Sequence, residues 1–389
     1  MPGHRKTALI IGAGMQGCSI ALFLAKAGWK VVIIEKNQSG RHASGVNAGG
    51  LRLLMRDWRE YQLSQFAMEK WADLKALVGE DAAKLCEVRL GTSQIAVALD
   101  EAEWTWARAR VADMQRRGLG EEELLTRVQL RRLLPGISQA AVGGVISRRD
   151  GHANPAGSAR AFREAAKVAG ATILENCRVL GLDRTAGGSW KVETSTGGLE
   201  GDILINSAGA WGRRVAALAG EDLPLEILAL SMMVTIRVQP FIAPVVIGID
   251  RPLSFKQSAA GTLVIGGGIL GKACPDQDTS FTVMDRMSRS AAATVEAFPG
   301  LAEIPVLRTW TGLEGTTPDG IPFIGPSSKY PDLWHVFGFC GHGFQLAPGV
   351  GEMVARSLIA GKTEKLLAPF VPDRFEPPLA TSSKGGSAS

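Results

Sequence analysis

The chain lacks most of what would mark it as a metal, disulfide, membrane or nucleic-acid protein. Its five cysteines (Cys18, Cys86, Cys177, Cys274 and Cys340) are far apart, form no C-x-x-C pair and join no histidine at zinc-ligand spacing. An odd number of scattered cysteines implies buried thiols, a reducing and therefore cytoplasmic compartment, and no metal site. No apolar run approaches the roughly 18–20 residues of a membrane span. His4, Arg5 and Lys6 precede an apolar run, but no A-x-A cleavage site makes a signal peptide of them. Charge of one sign is also missing. Lys and Arg number 43 against 38 Asp and Glu, and the net +5 is scattered without a basic stripe. That leaves nucleic-acid binding unsupported. There is no internal repeat. What remains is an apolar content of 46% over 389 residues. This is ordinary for a globular enzyme of about two or three domain-sized units.

What the chain does have is concentrated in TALIIGAGMQGCSIALFLAKAGWKVVIIEK, Thr7 to Lys36. Ala8 to Ile11 is apolar enough for one buried parallel strand. Gly12, Gly14 and Gly17 follow at G-x-G-x-x-G spacing. Apolar residues then recur at helical intervals until Gly28, and Lys30 to Ile34 reads as a second strand ending at Glu35. Gly12 permits the turn out of the strand, Gly14 lets a pyrophosphate approach the backbone, and Gly17 lets the helix pack against the sheet. The helix N-terminus then faces the anion. Glu35 stands where an acid accepts hydrogen bonds from the adenosine ribose, which argues against a 2′-phosphate and hence against NADP.

Further along, RHASGVNAGGLRLLMRD is rich in Ser, Gly and Asn. Asn47, Gly49 and Gly50 allow a backbone to run against a flat ligand, although a plain loop would look the same. The pattern then predicts helices over Tyr61–Val78, Asp100–Arg117, Glu121–Leu134, Ala156–Ala169 and Ser280–Phe298. Strands are predicted over Val142–Ile146, Asp202–Asn206, Ile227–Val238, Pro244–Ile249 and Leu333–Phe337, with a hairpin across Leu253–Gln257 and Thr262–Gly268. Ile205 to Gly212, INSAGAWG, is a strand running into a small-residue turn. GFCGHGFQLAPG near the other end places a second glycine-rich turn before a helix, without dinucleotide spacing. If these distant segments line one ligand, that ligand is long, and FAD fits better than NAD. From Val371 the chain becomes Pro-rich and then Ser-, Gly- and Lys-rich, as a disordered tail would be.

Four motifs, GAGMQG with Glu35, ASGVNAGGLR, INSAGAW, and WTGLEGTTPDGIPFIG with GFCGHGFQLAPG, make the chain resemble the D-amino-acid oxidase-like flavoenzymes. These include the glycine and sarcosine oxidases and the catalytic β subunits of multi-subunit amine dehydrogenases. The resemblance covers about residues 7 to 370. It implies an α/β chain (α+β overall), a Rossmann-like FAD-binding domain with an interleaved mixed-sheet substrate domain. On that basis residues 1–85, 150–220 and 308–370 form the FAD domain, 86–149 and 221–307 the substrate domain, and 371–389 the tail. It implies non-covalent FAD, since Gly312 stands where monomeric sarcosine oxidase attaches the cofactor through cysteine. By similarity the FAD contacts are Gly12, Gly14, Gly17, Glu35, Lys36, Ser44, Asn47, Gly49, Gly50, Val179, Ala208, Gly209, Gly341, His342, Gly343, Phe344 and Gln345. The multi-subunit relatives imply α and small γ subunits, and leave open an FMN at a subunit interface. His152 lies near, but not at, the histidine that holds it there. Membrane contact would be at most peripheral, through an electron acceptor.

The departures from the family narrow the substrate, a small-molecule amine. Glycine-oxidase-like members hold the substrate carboxylate with an arginine at the position of Glu314, and sarcosine-oxidase-like members with a lysine at that of Gln345. Here one is an acid and the other a neutral amide. An acid at 314 repels a carboxylate and welcomes a cation. GLEG with TTPDG resembles the β subunits of opine (octopine, nopaline) oxidases and of D-hydroxyproline dehydrogenases, and an arginine-derived opine carries a guanidinium and a secondary amine. The plainer reading of Glu314 is a structural acid paired with Arg308 or Arg52. Arg52 is the candidate for the remaining carboxylate anchor, or else a capping or surface arginine. Lys256 and Gln257 lie on the hairpin that covers substrate in relatives, or on a solvated strand face. His342 reads as a flavin-loop residue and not a general base. Val264 replaces the lysine that promotes oxygen reactivity in sarcosine oxidases, which points to a dehydrogenase. The activity implied is FAD-dependent oxidation of the C–N bond of a secondary amino acid. A D-hydroxyproline or D-amino-acid dehydrogenase, a glycine-oxidase-like enzyme, and an electron-transferring flavin subunit without its own substrate are the alternatives.

Overall fold

The computed structural model describes residues 5–375. Its centre is a six-stranded sheet. The opening strand Thr7–Ile11 lies between Lys30–Ile34 and Ile203–Asn206, parallel to both. Thr172–Leu174 and Leu333–Phe337 extend it in parallel, and Phe323–Pro326 closes one edge antiparallel. Ala8 to Ile11 are all 6% exposed or less, so both faces of the strand are covered. This is why the sequence there is continuously apolar and not alternating. Each large side chain so buried contributes on the order of 1.5–3 kcal/mol.

One face is covered by the fingerprint helix Met15–Lys26, the closing helix Gly343–Ala360, and the helix Pro155–Val168. The fingerprint helix starts where Gly12 turns the chain at φ +104°, and a Cβ there would meet Ser207 O at 2.5 Å. On Gly17 a Cβ would lie 2.0 Å from Gly12 O. The two glycines therefore serve turn and packing as their spacing predicts. Pro155–Val168 begins with Asn154 as its cap, accepting from Gly157 N, and with proline in its first turn.

The second large sheet has eight strands, in the order Val306–Thr316, Glu226–Arg237, Thr262–Gly266, Ser254–Gln257, Val245–Gly248, Gln94–Ala98, Gly143–Ser147, Glu123–Thr126. It is mixed, with the pair Val245–Gly248 and Gln94–Ala98 parallel and its neighbours antiparallel. Val306–Thr316, most of which was expected with the FAD-domain segment from residue 308, is the edge strand of this sheet. Its Trp310 Nε1 donates to Val46 O at 2.8 Å, tying the sheet to the short helix Ala43–Val46 that follows the second strand.

Several elements differ from expectation. Glu121–Leu134 is not one helix: Glu123–Thr126 is a strand paired with Gly143–Ile146, and only Arg127–Leu133 is helical. Thr126 and Gln129 form a capping box that starts the helix after the strand. The helix predicted from Ser280 starts at Met284, because Thr279–Phe281 is a strand of a hairpin. Tyr61–Val78 is interrupted at Asp73. Val371–Phe375, placed in the tail by composition, is packed: Pro372 is buried, and Arg374 makes an ion pair with Asp319 at 3.0 Å. Residues 376–389 lie outside the described residues. Among the described residues no helix is long and apolar enough to cross a membrane. Nor is any group of three or more His, Cys, Asp or Glu placed to hold a metal.

Candidate functional site

A cavity of about 440 Å³ runs between the two glycine-rich turns. Its walls come from residues 11–16, 34–47, 177–180, 207–218, 313–315 and 338–344. At one end Gly12 and Gly14 leave the backbone bare, and the N-cap residue of the fingerprint helix, Gly14, has no side chain to cap it. Ser44 Oγ accepts from one first-turn donor, Met15 N, at 2.9 Å. The other first-turn N–H groups and the positive dipole end are open to an anion. Glu35 accepts from Ala13 N at 2.8 Å and from Asn37 N at 2.9 Å. Burial pushes its carboxyl above the usual range in spite of those two bonds.

The other end is formed where the chain turns through Gly338 and Gly341 into the closing helix, whose N-terminus also has no side-chain cap. Gln16 joins the two ends. Its Nε2 donates to Gly343 O at 2.7 Å, while its buried Oε1 faces no partner among the described residues. A long ligand with an anionic middle and polar groups at both ends fits these walls, as FAD does. The fit rests on the bare backbone, the two helix N-termini and the orphaned Gln16 oxygen.

Of the sequence-derived contacts, Gly12, Gly14, Glu35, Lys36, Ser44, Asn47, Val179, Ala208, Gly209, Gly341, Gly343, Phe344 and Glu314 line the cavity. Gly17 and Gly49 instead lie against backbone: a Cβ on Gly49 would meet Ala153 O at 2.1 Å. Gly50 is in a short strand paired with His152. Gln345 is turned into the interior, away from the role proposed for it. Its Nε2 donates to Ser64 O at 2.9 Å, and its Oε1 accepts from Arg56 at 3.3 Å. The wall also contains residues outside the expected set, among them Gln38, Arg41, His42, Arg178, Trp211 and Arg214. The INSAGAW turn was the one available signal for Trp211.

Glu314 is half-buried on the edge strand, opposite Leu228. Among the described residues its one hydrogen-bond partner is Gly341 N, and neither Arg308 nor Arg52 pairs with it. Burial raises its pKa to about 7. Arg52 is partly buried, and among the described residues its guanidinium makes no hydrogen bond or ion pair. Burial lowers its pKa, with Asp150 and Glu60 acting in opposition. His342 Nδ1 lies 2.7 Å from Glu60, itself fully buried. Burial and the Arg56 charge lower the imidazole to about 4, so it is neutral near pH 7. Lys256 is not on a solvated face. It is 9% exposed, donates to Ala153 O at 3.1 Å, and is lowered to about 8 by burial. Strand register sets it directly opposite Val264. The sheet that lacks a lysine at 264 therefore carries one at 256. His152 is buried, and burial with Lys256 lowers it to about 4.

A parallel sheet with a glycine turn, a buried acid and a cavity reaching a second glycine turn defines a dinucleotide-binding oxidoreductase. The chain belongs to the DAO family, described as FAD dependent oxidoreductase, which matches residues 7–357. It is similar to the beta subunit of sarcosine oxidase from Rhizobium meliloti (strain 1021), 30% identical, covering 98% of this chain and 91% of the relative. It is 26% identical to the B subunit of opine oxidase from Rhizobium meliloti, covering 94% and 97%. Among solved structures, L-proline dehydrogenase from P. horikoshii superposes with a TM-score of 0.86 at 26% identity, covering 96% of this chain and 98% of that one.

Proposed function

We propose that the chain oxidises the C–N bond of a secondary amino acid that carries a second cationic group, an opine of the octopine or nopaline type. We further propose that it works as the catalytic β subunit of a multi-subunit enzyme. The observation that carries this reading is Glu314, an acid on the cavity wall with a backbone N–H as its hydrogen-bond partner and, among the described residues, no cation. An incoming guanidinium supplies the missing charge, draws the carboxyl back to its ionised form and can bind in two-point fashion. Arg52 is the carboxylate anchor in this reading, its guanidinium partly buried and, among the described residues, without a hydrogen bond or ion pair. The cavity residues Gly12, Gly14, Glu35, Ser44, Gly341 and Gly343 would hold FAD, which would supply the two-electron acceptor for the C–N oxidation; water would then hydrolyse the imine product. The similarity to the B subunit of opine oxidase over nearly the whole chain supports the substrate class. That relative and the sarcosine oxidase beta chain are each named as one subunit of a larger enzyme, which supports partner subunits here. Lys256 and His342 are not among the cavity-lining residues and are not assigned a proton-transfer step.

A second reading is a flavin subunit that passes electrons without a substrate of its own. It is favoured by Gln345, which leaves its position without either a cation or a cavity-facing side chain. The test is anaerobic bleaching of the protein-bound flavin by octopine, nopaline, D-hydroxyproline, glycine and sarcosine in turn. Reduction by the opines is expected. Reduction by glycine or sarcosine alone would overturn the charge-reversal argument, and bleaching only through a partner chain would favour the second reading.

A further inference from the structure

The hairpin of Lys272–Cys274 and Thr279–Phe281 leaves the eight-stranded sheet after Gly266 and ends before Met284. It does not fold back on its own sheet alone. Its tip reaches the other half of the molecule and is pinned there by four contacts. Asp278 makes ion pairs with Lys36 and, at 2.9 Å, with Arg178. Asp276 pairs with Arg214 at 2.5 Å. Pro275 O accepts from Trp211 Nε1 at 3.1 Å. The four partners come from three separate segments, and every one of them lines the cavity. Lys36 Nζ also sits 3.1 Å from the centre of the Trp211 ring, so the inner clasp is packed as well as charged. That clasp is sheltered, with Lys36 and Asp278 side chains 16% and 13% exposed, whereas Arg214 and Asp276 are 50% and 84% exposed.

We propose that this hairpin is a strap that retains the cofactor. Asp278 is a positioning residue: it holds Lys36 and Arg178 against the cavity wall, and the outer Asp276–Arg214 pair and the Trp211 bond keep the tip down. The cofactor enters or leaves when the tip lifts, so the ion pairs set its rate of release. The proposal rests on the cavity being the FAD site. A hairpin that served packing alone would be pinned to scaffold residues. This one is pinned to wall residues, and the pairs that hold it are of the kind salt weakens.

The experiment follows free-flavin fluorescence after dilution of the holoprotein, at about 0.05 M and about 1 M salt, where screening shortens to about 3 Å. Release from the native chain is expected to quicken about tenfold at high salt. Asp278→Asn should release about tenfold faster at low salt and respond less to added salt. Arg214→Asp and Asp276→Arg, both at exposed positions, should each quicken release by a smaller factor, and the two together should restore it. Melting of the apoprotein should move little in any variant. Bound flavin whose release ignores salt and all of these changes would overturn the strap alone. So would variants that lower the apoprotein's melting temperature as much as the holoprotein's, with release unchanged. A chain that binds no flavin at either salt concentration would overturn both the strap and the assignment of the cavity.

Discussion

The two ends of the cavity are made of different material. At the fingerprint end the wall is mostly backbone: Gly12, Gly14 and the first turn of Met15–Lys26, with one hydroxyl, Ser44, on Met15 N and a single acid, Glu35, held by two N–H groups. At the far end the wall is a turn crossed by side chains from distant elements, with Glu314 reaching Gly341 and Gln16 reaching Gly343. A backbone wall tolerates little substitution: a Cβ on Gly12 would meet main-chain Ser207 O at 2.5 Å, and one on Gly14 would crowd Ser44 Oγ at 3.0 Å. A side-chain wall can change its charge while the fold stays.

The comparison breaks first at Gly17. Gly17→Ala places a methyl 2.0 Å from Gly12 O, inside the contact on which the fingerprint turn depends. The expected cost is about 3 kcal/mol or more, with loss of bound flavin. Thermal melting and the flavin content of the purified protein measure both. A variant as stable and as yellow as the native chain would show that the backbone end is no stiffer than the other.

That stiffness is also why this end was legible in the sequence. Steric demands at Gly12 and Gly17 are local and leave a spacing, and the continuous apolar run of a doubly covered strand leaves another. Much of the far end leaves none. Gln345 and Gly343 lie two residues apart on one helix, and a rotation of about 100° per residue turns them to different sides. Gly343 lines the cavity, while Gln345 meets Ser64 and Arg56. The packing of Gly343–Ala360 against Met15–Lys26 and Tyr61–Ala72 decides which side is which. Arg178 reaches the wall from a loop that no motif marks, and Arg214 from the helix that follows the INSAGAW turn, just past the last residue the motif includes. The strand Glu123–Thr126 hid inside a helical pattern because its pairing partner, Gly143–Ile146, is some twenty residues away. Local propensity does not encode such a partner.

The second break is aimed at Glu314. The free carboxyl titrates near 7, and below that pH it is neutral and attracts no cation. Binding of a guanidinium substrate should therefore weaken as pH falls below about 7, by up to about tenfold per pH unit. Glu314→Gln should raise KM for such a substrate by roughly 10- to 100-fold at pH 8 and abolish the pH dependence, while sparing flavin binding. Steady-state kinetics with octopine from pH 6 to 8 separates the two effects. Equal KM values in the native chain and the Glu314→Gln variant would remove this acid from the substrate site and leave the far end without its distinguishing charge.

The smallest effect expected is also the sharpest, because it isolates one side chain at the join of the two halves. Lys256 titrates near 8 in the folded chain against 10.5 unperturbed, since burial penalises its charge. Between those values the unfolded chain binds a proton that the folded chain does not, so folding gains stability as pH rises from about 8 to 10.5 and loses it as pH falls back through 8. Lys256→Met keeps the buried stem and removes the charge. It should therefore be more stable than the native chain near pH 7, by on the order of 1–2 kcal/mol after allowing for the lost bond to Ala153 O. The difference should shrink, and then reverse in favour of the native chain, as pH approaches 10. Denaturant unfolding of both proteins at pH 7, 8.5 and 10 measures it. A difference that does not change with pH would mean that the ammonium is solvated when the chain is folded. The lysine would then belong to the adaptable side-chain wall and not to the rigid seam beside Gly49.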